Sequence, residues 1–129
     1  MILLASHNAA KAAELKRLTG LEVTTPTYPE PVEDGLSFRE NALIKARAGA
    51  KATGLITLAD DSGLTVRALN GMPGILSARW SGTHGDDEAN NRLLLAQLTD
   101  LPRDAAFVCC VALVTPSGEE YVCLLYTSP

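Results

Sequence analysis

The sequence predicts an α/β fold, with a mixed central sheet flanked by helices. Three observations carry that reading. Short apolar runs of strand character alternate with longer stretches of helix-forming residues. Two of those stretches open on a capping residue and close on glycine. The last two apolar runs, 105–115 and 120–126, flank Pro116-Ser117-Gly118 as an antiparallel pair, so parallel and antiparallel pairing coexist.

Residues 2–5 form the first apolar run, which stops at Ser6-His7-Asn8. From Asn8 to Thr19 the composition is Ala, Leu, Lys, Glu and Arg, with Asn8 placed to cap a helix and Gly20 to end it. Leu21–Thr25 suggests a second strand. Three prolines and three acidic residues then make 26–35 a loop. Ser37-Phe38-Arg39-Glu40 has capping-box spacing, with Glu40 reaching back toward the Ser37 cap. Phe38, Ala42, Ala46 and Ala50 then give an apolar stripe, mostly of small residues, suited to close helix packing before Gly54. Ile56–Ala59 reads as a short strand ending at Asp60-Asp61-Ser62-Gly63, and Leu64–Ala68 as another before the turn-rich 70–74. Residues 86–99 read as a helix with Leu93, Leu94 and Leu98 inward.

Bulk properties narrow the function. At 129 residues, 47% apolar and 20% charged, the chain fits one globular domain. A net charge of −4 disfavours a general nucleic-acid binder, which needs basic surplus against a phosphate backbone. It does not exclude one nucleotide. Cys109, Cys110 and Cys123 lack metal-ligand spacing and are odd in number, which reads as reduced, buried thiols in a cytoplasmic protein. The first residues lack the basic start of a signal peptide, and no apolar run is long enough to span a membrane.

Two segments occupy the address where open α/β sheets gather ligands, beyond strand carboxyl ends. Ser6-His7-Asn8-Ala9-Ala10-Lys11 is a strand-to-helix turn whose free amides and Lys11 ammonium would suit an anion. A plain helix cap with a solvated lysine explains the same residues, and the Walker pattern is absent. Asp60-Asp61-Ser62-Gly63 is the second. Adjacent carboxylates on a strand point to opposite faces, so one is free for a metal or a water while local donors hold the other. A turn capped by Asp and Ser is the competing reading. Oxygen ligands without clustered His or Cys suggest Mg2+. Glu33 and Asp34 would supply a second carboxylate, while Lys45 and Arg79 are candidate phosphate or base contacts, or surface charges. His7 and His84 show no spacing for zinc or for nucleophilic catalysis.

Taken in order, further motifs join these two. Leu4-Ala5-Ser6-His7-Asn8 with Lys11 is followed by Glu33-Asp34-Gly35-Leu36-Ser37-Phe38, Glu40-Asn41-Ala42 and Lys45-Ala46. Then come Ala59-Asp60-Asp61-Ser62-Gly63-Leu64, Leu69-Asn70-Gly71-Met72-Pro73-Gly74 and Ser77-Ala78-Arg79-Trp80-Ser81-Gly82. This ordered set resembles the inosine triphosphate pyrophosphatase family over roughly residues 2–123. The resemblance implies hydrolysis of non-standard purine nucleoside triphosphates (dITP, ITP, XTP) to monophosphate and pyrophosphate, with Mg2+ as cofactor and a homodimer at full length. It also implies roles: Ser6, His7, Asn8, Ala9, Ala10 and Lys11 hold the triphosphate, and Lys45 and Ser62 touch substrate. Asp61 is metal ligand and proton acceptor, and Glu33 the other metal carboxylate.

Family members continue further, with an F-G-Y-D-P-like and an S-H-R-like motif closing over the base. The expectation is therefore a pyrophosphatase domain over 1–123, the N-terminal two-thirds of the family's fold, with 124–129 a foreign tail. The competing function is a catalytically silent fragment that binds phosphate and Mg2+ weakly. A nucleotide-binding module without hydrolysis is a third reading, which leaves the paired aspartates unexplained.

Overall fold

A computed structural model describes residues 1–127. Its elements are β1 (Ile2–Leu4), α1 (Ala9–Thr19), β2 (Val23–Thr24), α2 (Phe38–Thr53), β3 (Ile56–Val66), 3-10 segments at Arg67–Leu69 and Gly74–Arg79, α3 (Asp87–Gln97), β4 (Ala105–Val114) and β5 (Glu120–Thr127). The five strands form one sheet in the order β2-β1-β3-β4-β5. β1 pairs parallel with β2 and with β3, Ile2 lying opposite both Val23 and Ile56. Neighbours β4 and β5 are joined by residues 115–119 alone, too short a link for a crossover, so they run antiparallel. Thr115 N donates to Glu119 O at 2.9 Å to close that turn. The sheet is mixed, as the sequence predicts. The expected foreign tail begins inside β5, and its residues 128 and 129 lie outside the described residues.

β3 corrects the reading of two strands broken at Asp60-Asp61-Ser62-Gly63. The strand runs unbroken through all four residues. Turn propensity is a weak local preference, and the pairing of a central strand overrides it. The second strand is also shorter than read, since Leu21 is 49% exposed and lies before β2.

The chain packs as two compact units. The first comprises Met1–Asp61 with Cys110–Cys123, the second Ser62–Cys109 with residues 124–127. In the first unit α2 supplies the apolar face. Ala42, Leu43, Ala46 and Ala50 are buried with Ala5, Ala59, Cys110, Ala112 and Val114, and Phe38 packs against that cluster. Four of the expected stripe positions therefore face the core. Gly49 lies on the same buried face, and a β-carbon there would stand 2.7 Å from Leu3 Cδ2 and from Thr57 Cγ2, and 2.8 Å from Tyr28 Oη. Leu3 and Thr57 are fully buried and have nowhere to move.

The start of α2 departs from a reciprocal capping box. Ser37 Oγ accepts from Glu40 N as expected, at 3.0 Å. Glu40 Oε2 instead accepts from Leu36 N, and buried Asn41 Oδ1 accepts from Gly35 N at 2.9 Å. The two side chains thus bind the loop before the cap. Gly54 closes the helix in the left-handed region at φ 70°, and Gly20 closes α1 the same way.

In the second unit Val66, Leu94 and Leu98 form a small core that Leu64, Leu69, Trp80 and Ala105 cover. Leu93, expected inward, is 37% exposed. The spacing from Leu94 to Leu98 defines the buried line of α3, and Leu93 falls one position off it. Buried Asn90 holds the chain after the second 3-10 segment: its Oδ1 accepts from Ser81 N at 2.7 Å, and its Nδ2 donates to Ala78 O at 2.9 Å. Of the cysteines expected to be buried, Cys110 is, Cys109 is intermediate and Cys123 is exposed on β5.

Gly49→Ala is expected to lower stability by about 1–3 kcal/mol through overpacking, despite the better helix propensity of alanine. Urea unfolding at constant slope measures this. An unchanged or higher midpoint would show that α2 can retreat from the sheet at no cost.

Candidate active site

β1 delivers the chain to Ser6 at its carboxyl end, and α1 begins three residues later. The amides of this turn, expected to be free, are in part already bonded. Ser6 Oγ accepts from Asn8 N at 3.1 Å, and Asn8 Oδ1 accepts from Ala10 N and Lys11 N at 3.0 and 3.2 Å. A capping asparagine satisfies the first-turn donors that an anion would otherwise use. An arriving phosphate must share or displace those bonds. What the turn presents outward is the Lys11 ammonium, 3.2 Å from Asp60 Oδ2, with side chains 51% and 24% exposed respectively.

The continuity of β3 fixes where the two aspartates point. Successive side chains of a strand alternate faces. Asp60 lies on the face toward α1, where Lys11 holds it. Asp61 shares the face of Thr57 and Ala59, which α2 covers through Gly49 and its small-residue stripe. Its Oδ2 is a buried oxygen. One carboxylate is held by a neighbouring cation while the other stands on the opposite face, which lowers the cost of adjacent negative charges. Ser62 follows as the next residue of the strand.

On the α2 face, Lys45 Nζ lies 3.4 Å from Glu33 Oε1, and the lysine side chain is only 20% exposed. Lys45 is thus no ordinary surface charge. A third pair, His7 Nε2 with Glu30 Oε1 at 2.6 Å, ties the proline-rich loop to the turn after β1. With the Asn41 bond to Gly35, these contacts hold the acidic loop 26–35 at Glu30, Glu33 and Gly35. Between them lies a cleft of about 20 Å3, lined by Ala5, His7, Tyr28, Glu30 and Lys45 among others. That volume admits about one water molecule. Burial, with Glu30 beside it, raises the Tyr28 phenol above its ordinary pKa.

The structure therefore brings together Lys11 with Asp60, Lys45 with Glu33 and His7 with Glu30. Among the described residues no group of three or more His, Cys, Asp or Glu gathers as a metal site. The carboxylates of these pairs are oxygen donors of the kind a hard cation takes together with ligand phosphate oxygens. Arg79 is exposed at the end of the second 3-10 segment, beside the residues that Asn90 fixes. Sequence reasoning gave no role to Glu30, Asn41 or Asn90. Asn41 and Asn90 sit among apolar helix positions, and a polar residue on a buried helix face is the signal that marks each of them.

Known proteins share this sequence and fold. A dITP/XTP pyrophosphatase of Corynebacterium efficiens is 62% identical over 94% of this chain and 65% of its own length. A solved structure described as a nucleoside-triphosphatase / dITP/XTP pyrophosphatase from Mycobacterium abscessus is 58% identical, with a TM-score of 0.88 over 98% of this chain and 72% of its own. The Staphylococcus aureus Ham1 protein is 39% identical, with a TM-score of 0.90, covering 98% of this chain and 69% of its own. The chain thus spans 65% of the length of such curated relatives. The sequence matches the Ham1 family over residues 2–125, and the chain belongs to that family.

Proposed function

We propose that this chain carries the phosphate- and metal-handling part of an enzyme that hydrolyses non-standard purine nucleoside triphosphates such as dITP, ITP and XTP. The products are the nucleoside monophosphate and pyrophosphate. One observation carries the reading: two lysines from different helices stand beside carboxylates, Lys11 by Asp60 on β3 and Lys45 by Glu33, with Asp61 on the α2 face of the same strand. Mixed cations and carboxylates gathered in this way suit a metal-bearing polyphosphate better than any neutral ligand. The substrate class is supported by relatives described as dITP/XTP pyrophosphatases. Net negative charge supports a single nucleotide over nucleic acid.

In this reading Lys11 and the segment Ser6, His7, Asn8, Ala9 and Ala10 grip the phosphates, with Lys45 as a second cation and Ser62 as a polar contact. Asp61 accepts the proton of a water that attacks the triphosphate as the α–β anhydride bond breaks. A divalent cation such as Mg2+, held through Asp61 and Glu33, would neutralise the phosphates and the charge of the leaving pyrophosphate. Asp60 fixes Lys11 and takes no part in proton transfer. A cytoplasmic location and a homodimer at the relatives' full length are part of the same proposal. They rest on the family resemblance.

Pyrophosphate release from dITP, with dGTP as comparison, tests the reading in this chain and in a chimera where it replaces the matching part of the Mycobacterium abscessus relative. Asp61→Asn is expected to lower kcat at least about a hundredfold without loss of folding, because an amide cannot accept the proton. Asp60→Asn is expected to be milder, within about tenfold, as its role is indirect. Equal rates for the Asp61 variant and the unaltered protein would remove Asp61 as the base.

Lys11→Ala is expected to raise KM and lower kcat together, costing about ten- to a hundredfold in kcat/KM. Lys16→Ala, on an exposed lysine of the same helix, is expected to change neither. Matching kinetics for the two variants would identify Lys11 as a plain helix lysine.

A further inference from the structure

Both lysines assigned to the phosphates are already occupied by carboxylates. Lys11 is held by Asp60 at 3.2 Å and Lys45 by Glu33 at 3.4 Å. The cleft beside Lys45, closed further by the His7–Glu30 pair, has room for about one water. Three amides of the turn, those of Asn8, Ala10 and Lys11, are likewise taken up by Ser6 and Asn8. A polyphosphate arriving at these ammonium groups competes with the carboxylates that now hold them. Resting on the reading above, we infer that Asp60 is a built-in competitor for the anion. It holds Lys11 until a polyphosphate takes the lysine over, and Glu33 holds Lys45 in the same way on α2.

The exchange has a chemical consequence. When Lys11 moves to a phosphate, Asp60 is left as an uncompensated carboxylate next to Asp61, and Glu33 is left likewise when Lys45 moves. An anion arriving alone therefore adds negative charge and leaves more behind. An anion arriving with a divalent cation restores balance, because the released carboxylates face new positive charge. Anion and cation binding are thereby coupled, and reciprocally so. The device disfavours bare polyphosphate and favours its metal complex, a form of selectivity made from repulsion as much as attraction. Asp60 acts here through Lys11 and is a positioning residue.

The test measures inorganic pyrophosphate binding to the chain by calorimetry, once in EDTA and once with saturating Mg2+. In EDTA, Asp60→Asn is expected to bind pyrophosphate about three- to tenfold more tightly than the unaltered chain, the range set by a half-exposed ion pair and one removed like charge. With Mg2+ that advantage disappears, so Mg2+ strengthens binding to the unaltered chain more than to the variant. Glu14→Gln removes a charge of the same sign from an exposed pair on α1 and is expected to change affinity less than twofold. Glu33→Gln, read in EDTA alone, repeats the test at Lys45 should Asp60→Asn melt early. A merely structural role for Asp60 predicts a loss of binding, never a gain. Unchanged or weaker binding by Asp60→Asn in EDTA, or equal tightening by Glu14→Gln, overturns the inference and leaves the proposed function standing. Failure of the unaltered chain to bind pyrophosphate even with Mg2+ overturns the phosphate site itself, and the inference with it.

Discussion

A methyl group at position 49 would meet Leu3, Thr57 and Tyr28 at 2.7–2.8 Å, and this near-contact sets the geometry of the first unit. Only a helix with alanines and a glycine on its inner face can lie so close to β1 and β3. That closeness places Thr57 and Ala59 in the core and orients the strand that carries Asp60 and Asp61. It also brings the Tyr28 hydroxyl against the helix, which seats the proline-rich loop. Lys45, one turn before Gly49, stays only 20% exposed because its helix is pressed onto these neighbours. A larger side chain at 49 would shift the sheet-to-helix spacing on which each of these positions depends.

Charge is arranged around this frame in pairs. Asp60 and Asp61 are adjacent, and two ionised carboxylates in sequence are tolerated when they leave the strand on opposite faces and a cation stands by. Lys11 does this for Asp60 from the first turn of α1. Arg47, farther along α2, forks onto Glu120 of β5 and holds its carboxyl below the usual range. The two kinds of pair differ in consequence. Arg47 and Glu120 bridge the exposed side of α2 and a strand in a fixed fork, whereas Lys11 and Lys45 are flexible point charges that can exchange partners.

The α/β class and the mixed sheet were legible because capping residues and terminal glycines punctuate the chain where the helices begin and end. Asn8, Ser37, Gly20 and Gly54 each act as their residue types predict, for reasons local to a few residues. The break expected inside β3 failed for the opposite reason. Asp, Ser and Gly favour turns in isolation, and the pairing of a central strand outweighs that preference. Leu93 was misjudged because two adjacent leucines fit the same coarse apolar pattern, and only the packed face decides between them. Lys11, Lys45, Glu33 and Asp61 were legible as candidates from motif order. Their pairing was not. Which carboxylate meets which ammonium across 49 residues, as in Asp60 with Lys11, is fixed by tertiary placement and leaves no trace in spacing.

The account holds that the phosphate-binding cations are shared goods, kept by carboxylates and surrendered to a polyphosphate with its metal. A crystal structure of this chain with pyrophosphate and Mg2+ tests that claim most directly. The account predicts Lys11 Nζ within hydrogen-bond distance of a phosphate oxygen and withdrawn from Asp60, with Lys45 likewise withdrawn from Glu33. The Lys11–Asp60 and Lys45–Glu33 pairs found intact, with pyrophosphate bound elsewhere, would contradict it.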